Sequence, residues 1–304
     1  MTFIVMKKIS IVIPNFNGKS LLRENLPGIL KNFPGNEIII VDDGSEDESV
    51  NFIKKRFSQV KVLVNKKNFG FSTTANRGIR AAKSSLVLLL NNDCQPQKNI
   101  FQFLLPYFDD KKTFAVSCLE KSAKKSRGRG IGGFKKGLFY HKPGKLDKNN
   151  TLWAFAACTL YNKEIFEKIG GFDENFNPFY WEDFDLSYRA LKSGYKIFFE
   201  KKAVVYHKES STINKYFSPF QIKQISFRNQ LMVSWKNLTD KDYLIWHLIW
   251  LPYYLILTTI KTRGAFLLGF LKALMKLLKI LEKRKNNKFV YSDKEVLAPF
   301  QNKL

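Results

Sequence analysis

Nine residues, Trp181-Glu182-Asp183-Phe184-Asp185-Leu186-Ser187-Tyr188-Arg189, place three carboxylates within four positions among aromatic rings. Acids crowded at an apolar surface repel one another and resist desolvation, which raises the proton affinity of at least one. A carboxylate in that state is a general base for a hydroxyl nucleophile. The same acids also suit a helix start, where they complement the dipole. Two further acidic sites lie upstream. Residues 38–41 form a β-branched run of the kind buried in parallel sheets, and it ends in Asp42-Asp43-Gly44-Ser45. Ligands collect beyond the carboxyl ends of strands in open α/β sheets, where an acid can accept hydrogen bonds from a base or ribose. Ser45 or Asp47 equally offers an N-cap for a helix over 46–57. Residues 85–90 repeat the pattern and end in Asn91-Asn92-Asp93. These oxygen-rich side chains suit a hard divalent cation that carries phosphate, or an Asn/Asp turn.

Alternating elements must position these sites. A strand from residue 8 breaks at Pro14 into the polar turn Asn15-Phe16-Asn17-Gly18, and a helix over 21–33 follows. A short strand over 60–64, the turn Asn65-Lys66-Lys67-Asn68-Phe69-Gly70 and a helix over 71–82 complete the order β-α-β-α-β-α-β. That order predicts a parallel, doubly wound sheet. Downstream, Gly170-Gly171 can end a helix over 163–169. Phe172, Phe176, Phe179, Tyr180 and Trp181 then precede the acids, as faces for sugar rings or as a packed hydrophobic floor.

The blocks IVIPNFNG, IIIVDDGS, NKKNFGFSTTANRGI, LLLNNDC, AFAACTLYNKEIFEKIGGFDENF and FYWEDFDLSYRALKSGYKI occur in that order between Lys8 and His207. Together they resemble family 2 glycosyltransferases with the GT-A fold, in the branch that includes rhamnosyltransferase-like enzymes of cell-surface polysaccharide synthesis. The resemblance implies a UDP-, dTDP- or GDP-linked sugar donor, an inverting transfer and a divalent cation, Mg²⁺ or Mn²⁺. It implies that Pro14 and Asn15 line the nucleotide pocket and that Asp42, with Asp43 beside it, contacts base or ribose. Asn68 and Gly70 match the turn that closes over the nucleotide. Asp93 matches the last acid of the family's Asp-x-Asp metal motif; Asn91 stands in place of the first, and Asn91 and Asn92 join the donor-binding set. Asp183 matches the family base, with Glu182 its rival, and Asp185 orients the helix. His207 resembles the histidine that completes the metal site.

Composition frames the rest. The 304 residues hold 51 Lys and Arg against 26 Asp and Glu, a net charge of +25. Such a charge suits nucleic acid or an anionic surface, yet no nucleic-acid motif occurs, so no nucleic-acid partner is expected. Cys94, Cys118 and Cys158 are odd in number and lack metal-ligand spacing, which suits reduced thiols in the cytoplasm. Met1 to Met6 is too short an apolar stretch for a signal peptide. The basic, glycine-rich segment 121–137 reads as a mobile loop between the donor and acceptor halves, able to grip a diphosphate.

Residues 243–260 carry no formal charge apart from the titratable His247, and residues 264–281 are apolar apart from Lys272, Lys276 and Lys279 at helical spacing. That pattern predicts helices lying in the cytoplasmic leaflet of the cell membrane against anionic lipid; a spanning hairpin and a pair packed on the catalytic domain are the alternatives. The expected organisation is α/β: a GT-A, Rossmann-like, mostly parallel sheet flanked by helices over 1–238 (donor half to about 118, acceptor half 150–238). A membrane-associating helical extension follows over 239–285, then a polar tail over 286–304. The expected function is metal-assisted sugar transfer to a lipid-linked or cell-surface glycan. A sugar nucleotidyltransferase is the rival enzyme, although its glycine-rich first loop is absent; a basic membrane- or nucleic-acid-binding protein is the non-enzymatic alternative. Nothing in the sequence fixes the oligomeric state.

Overall fold

The computed structural model describes residues 8–123, 125–208 and 212–301. The opening Met1 to Met6 and Lys124 of the basic segment lie outside them. The first half runs β1 (Ile9–Asn15), α1 (Lys19–Asn32), β2 (Glu37–Asp42), α2 (Ser49–Arg56), β3 (Lys61–Val64), α3 (Phe71–Ala81) and β4 (Leu86–Leu90). Next come β5 (Cys94–Pro96), α4 (Ile100–Leu104), β6 (Thr113–Lys121), β7 (Ser126–Arg127), β8 (Gly130–Lys135) and β9 (Leu138–Pro143). The chain continues through β10 (Cys158–Asn162), α5 (Lys163–Lys168), α6 (Glu182–Lys192), β11 (Lys196–His207), α7 (Thr212–Tyr216) and α8 (Pro219–Asn237).

The main sheet has the order β3-β2-β1-β4-β10-β6-β11-β5. Strands β3, β2, β1 and β4 are parallel, as the alternating order predicts. Strand β10 then enters antiparallel to both β4 and β6, so the second half is mixed. The parallel strands bury both faces. Ile11, Ile13, Ile38, Ile40, Leu88 and Leu90 pack with Leu22, Leu26 and Ile53 of α1 and α2. Val12, Ile39, Val41, Val87 and Leu89 pack with Ala75 and Ile79 of α3 and Leu186 and Ala190 of α6. Apolar side chains on both sides of the pleat explain the continuous hydrophobic runs.

The segment 121–137 departs from the expected mobile loop. Ser126–Arg127 pair with β6, and β8 and β9 form a hairpin that seats Leu138 and Phe139 in a third core. Lys136 and Gly137, at φ 50° and 76°, make the two-residue turn, a geometry that matches the twist of antiparallel strands. The lysine and glycine content reads as a loop, but the alternate burial of the hairpin is a tertiary effect.

The C-terminal third also differs in detail. Helix α9 (Lys241–Tyr253), a π turn (Tyr254–Thr258) and α10 (Thr259–Lys261) run on as one apolar helix of 21 residues, long enough to cross a bilayer. Pro252 lies just before the π turn, as expected where an N–H is missing. Its Tyr243, Leu244, Leu251, Tyr254 and Leu255 pack on the third core. His247 is buried, with Nδ1 2.6 Å from the Gly137 carbonyl, while Trp235 Nε1 donates to its Nε2.

Helices α11 (Ala265–Leu274) and α12 (Leu277–Asn286) pack against α8. Gly269 allows this approach, because a Cβ there would lie 2.8 Å from the Gln224 carbonyl oxygen. Lys272 and Lys276 point back to the protein, donating to Gln224 Oε1 and the Asn175 carbonyl, and Lys283 pairs with Asp173. Leu267, Leu268, Leu271, Leu274 and Leu278 face outward instead. The stretch read as a polar tail carries α13 (Asp293–Leu297), whose buried Asp293 pairs with Lys192 and accepts from the Tyr188 hydroxyl. Single charged residues there look solvated in sequence; buried partners far along the chain hold them in place.

Candidate active site

The two acidic strand ends and the acidic helix start come together at the carboxyl ends of the parallel strands. Asn15, Asp42 and Asn92 form a chain across β2, β1 and β4. Asn15 Nδ2 donates to Asp42 Oδ2 at 2.9 Å, and Asn92 Nδ2 donates to Asn15 Oδ1 at 2.8 Å. Asp42 also accepts from the Ser45 N–H, and it is fully buried. Asp43 accepts from the Phe69 and Gly70 N–H groups at 3.0 and 2.8 Å, so it holds the turn that carries exposed Asn68. Pro14 is partly exposed next to Asn15. Neither proposed N-cap is used. Ser45 Oγ accepts from the Asn17 N–H and Asp47 from the Lys19 N–H, and α2 begins later, after Glu48 in a left-handed conformation. Ser45 fastens the β1–α1 loop, while Asp47 ties that loop to the start of α2, its Oδ1 accepting from the Ser49 N–H at 3.2 Å.

Beyond β4, the Asn91 N–H donates to the Ala157 carbonyl. Asp93 Oδ2 lies 3.0 Å from His207 Nε2, because β5 pairs with the end of β11, Cys94 opposite His207. Glu120 at the end of β6 lies 2.6 Å from His207 Nδ1 and 2.7 Å from the Arg127 guanidinium. Burial alone would lower the His207 pKa; Asp93 and Glu120 outweigh it and raise it to about 9. Burial raises the Glu120 pKa, and His207 and Arg127 pull it below its ordinary value. One ligand atom each from Asp93, Cys94 and His207 falls within 4.8 Å of the others. Cys94 is wholly buried, and burial, then the Asp93 charge, pushes its thiol well up. Asp93 and His207 are therefore the pair open to a ligand. A carboxylate oxygen and an imidazole nitrogen that share a proton at 3.0 Å form a donor set a divalent cation fits, since metal and proton compete for the same atoms. Sequence reading missed Glu120, Arg127 and Cys94; none stands at a recognisable spacing from His207, and only strand pairing brings them there.

The acids 182–185 open α6 after an unusual approach. Tyr180 and Trp181 are both left-handed, at φ 71° and 72°. Such conformations cost about 1–3 kcal/mol each and persist only where surroundings hold them. Asn229 of α8 does so: its Nδ2 lies 2.8 to 2.9 Å from the carbonyl oxygens of Phe176, Phe179 and Tyr180. Arg228 donates to the Phe176 and Asn177 carbonyls. Helix α8 starts on a capping box between Ser218 and Gln221, an ordinary local signal for a helix that carries these anchors.

The three acids have different surroundings. Asp185 is fully buried; burial pushes its pKa up, but Arg189 and Lys236, both 2.9 Å away, hold it below its ordinary value. Glu182 is buried with Oε2 unpartnered among the described residues. Burial, then the Asp183 charge, raises its pKa well above the carboxylate range. Asp183 is partly exposed; burial raises its pKa to about 6, against hydrogen bonds from the Phe184 and Ala156 N–H groups. Ala156 and Ala157 thus tie Asp183 and the end of β4 to one short loop. Of the aromatics ahead of the acids, Phe172, Phe176, Phe179 and Trp181 are buried, as a hydrophobic floor; Tyr180 is 42% exposed.

With strand ends, paired acids and histidine in place, the fold is the GT-A fold of nucleotide-sugar enzymes. A family model, "Glycosyl transferase family 2", matches residues 10–170. The chain belongs to that family. Among its relatives is the O-antigen chain rhamnosyltransferase WbaN of Salmonella anatum, 25% identical over 226 residues, 71% of this chain and 70% of that protein. Chondroitin synthase of Pasteurella multocida is 23% identical over 66% of this chain, which spans only 25% of its length. A crystal structure of GalNAc-T7 with UDP, GalNAc and Mn²⁺ superposes on 96% of this chain and 56% of that one, with a TM-score of 0.66 at 19% identity.

Proposed function

We propose that this chain moves a sugar from a nucleotide-sugar donor to a hydroxyl of a glycan or lipid-linked acceptor, with inversion and with Asp183 as base. The observation that carries the reading is the divergence of two neighbouring carboxylates. Environments that push such pKa values apart assign acid and base roles. Burial and the Asp183 charge push the Glu182 pKa well above its ordinary value, whereas Asp183, near 6 and open to the cleft, is ionised at neutral pH and still basic enough to take a proton. The Asp183 carboxylate accepts the acceptor's hydroxyl proton as that oxygen bonds to the anomeric carbon. The bond to the diphosphate breaks on the opposite face.

Asn15, Asp42 and the Asn68–Gly70 turn fit the nucleotide side of the cleft, and Pro14, Asp43, Asn91 and Asn92 frame it. Asp93 and His207 would hold Mg²⁺ or Mn²⁺, which when bound stabilises charge on the leaving diphosphate. The UDP and Mn²⁺ of the GalNAc-T7 structure support this donor class, and the WbaN likeness supports a surface-glycan acceptor.

The reading extends to place: the chain sits on the cytoplasmic face of a membrane. One face of the helix 241–261 packs on the catalytic core, while Ile245, Leu248, Ile249, Ile256 and Ile260 are exposed, next to the outward leucines of α11 and α12. A continuous apolar surface of this kind marks a membrane or protein contact. Exposed Lys261, Arg263, Lys279 and Lys285 beside it favour anionic lipid. The helix is long enough to cross a bilayer, but its packed face on the catalytic core favours a place in the interface.

A thermal-shift panel of nucleotide sugars with Mn²⁺, followed by release of free nucleoside diphosphate when acceptor is added, tests the activity. Binding to the native state raises apparent stability, so the true donor stands out. Release of pyrophosphate from a nucleoside triphosphate would favour the nucleotidyltransferase instead, and no shift with any nucleotide would sink both.

A further inference from the structure

Glu120 belongs to none of the six motif blocks, yet it is a buried carboxylate at the edge of the cleft, 3% exposed. It ends β6 beside β11, in register with Val205, two residues before His207. Its Oε1 lies 2.6 Å from His207 Nδ1. On its other side Arg127, brought in by the pairing of β7 with β6 in register with Glu120, donates Nε to the same oxygen at 2.8 Å. A buried carboxylate needs such a cationic partner to stay ionised. The basic segment therefore closes on the site through this one side chain.

An imidazole that donates Nδ1–H to a carboxylate is left with Nε2 as its coordinating atom, and the carboxylate fixes the ring plane. Here Nε2 faces Asp93 Oδ2 at 3.0 Å. We propose that Glu120 is the positioning residue of the cation site: it holds His207 in the tautomer and orientation that present Nε2 beside Asp93, and Arg127 keeps Glu120 in place. This rests on the reading of Asp93 and His207 as cation ligands. Glu120 touches neither donor nor acceptor in that role, so removing it weakens the cation and spares the nucleotide pocket of Asn15 and Asp42.

The test is a Mn²⁺ titration of the full chain, followed by electron paramagnetic resonance with UDP present, beside UDP binding measured in chelator. Glu120→Ala lowers Mn²⁺ affinity by roughly 10–100-fold, the usual effect of removing such a partner. Glu120→Gln still accepts from Nδ1–H and retains most of the affinity. Adding Glu120→Ala to His207→Ala changes nothing further. UDP binding in chelator stays the same throughout. Should Glu120→Ala not fold, the contrast between His207→Ala and Glu120→Gln decides. Unchanged Mn²⁺ affinity in Glu120→Ala, an additive loss on His207→Ala, or a Glu120→Gln as poor as His207→Ala each overturns the inference alone. So does weaker UDP binding in chelator. A wild-type chain that takes up no Mn²⁺ overturns the cation reading and the inference together.

Discussion

At the scale of single residues, the site separates groups that the sequence offers as equals. Glu182, Asp183 and Asp185 share one helix turn, but α8 supplies Lys236 and Asn237 to Asp185 alone. Asp183→Asn should cut transfer by about 10²–10⁴-fold, the usual worth of a general base, and leave donor affinity unchanged. Wild-type kcat/KM should rise with pH through about 6 as Asp183 loses its proton. Burial and the Asp183 charge raise the Glu182 pKa well above its ordinary value, and burial likewise raises that of the nearby Tyr161. The stability sign is opposite to that of a salt-bridged acid. A carboxyl raised in the folded state costs stability above pH 6, and the cost vanishes below its unfolded value near 4. Asp183→Asn should therefore melt no lower than wild type at pH 8. Near wild-type turnover for Asp183→Asn with a dead Glu182→Gln would reverse the assignment of base.

Among elements, α8 anchors the turn that leads into the acids of α6, although its own sequence names no chemistry. Asn229 satisfies three carbonyls of the turn that holds two left-handed residues before α6. Asn229→Ala takes the donor from the Phe179 and Tyr180 carbonyls, at about 1–3 kcal/mol, while Arg228 still reaches the Phe176 carbonyl. The released turn should misplace Asp183, so kcat falls well beyond any change in donor Kd. Urea denaturation with single-turnover kinetics would measure both. A variant that loses donor binding and turnover in equal proportion would point to general unfolding rather than to α6. The strands were readable from hydrophobic runs ended by polar residues. The β8–β9 hairpin was not, because its glycines and lysines look like a loop until Leu138 and Phe139 find their core.

For the whole molecule, the C-terminal third is part of the catalytic body. Lys236 and Lys283 both pair with Asp173, and Asp293 pairs with Lys192 of α6. Cutting the chain at Thr239 would open the third core, leave Lys192 without Asp293 and take Lys283 from Asp173, which keeps Lys236. The membrane contact is better probed on the exposed surface. Ile249, Leu271 and Leu278 are 60%, 47% and 83% exposed, so their replacement by Glu should leave folding and donor binding intact. Full-length protein should co-sediment with anionic liposomes, in part reversibly with salt through screening of the basic rim and in part resistant through apolar insertion. The triple Glu variant should lose the salt-resistant part. Wild-type behaviour of that variant would move the contact elsewhere.

The amino-acid sequence by itself determined the alternating first half and the family and marked Asp42, Asp93, Asp183 and His207 as candidates, because these rest on local runs and fixed spacings. It also showed an apolar C-terminal region with interleaved lysines. Tertiary structure decided that Lys272 and Lys276 reach back to Gln224 and Asn175, and Lys283 to Asp173, while Lys279 and the leucines stay exposed. It decided that Asp43 serves its own turn, that Glu120 and Arg127 stand behind His207, and that Glu182 and Asp183 are raised in proton affinity while Asp185 is lowered. The physical reason is common to all of these. Burial and pairing are set by residues distant in sequence, and charge, tautomer and proton affinity follow from burial and pairing rather than from spacing along the chain.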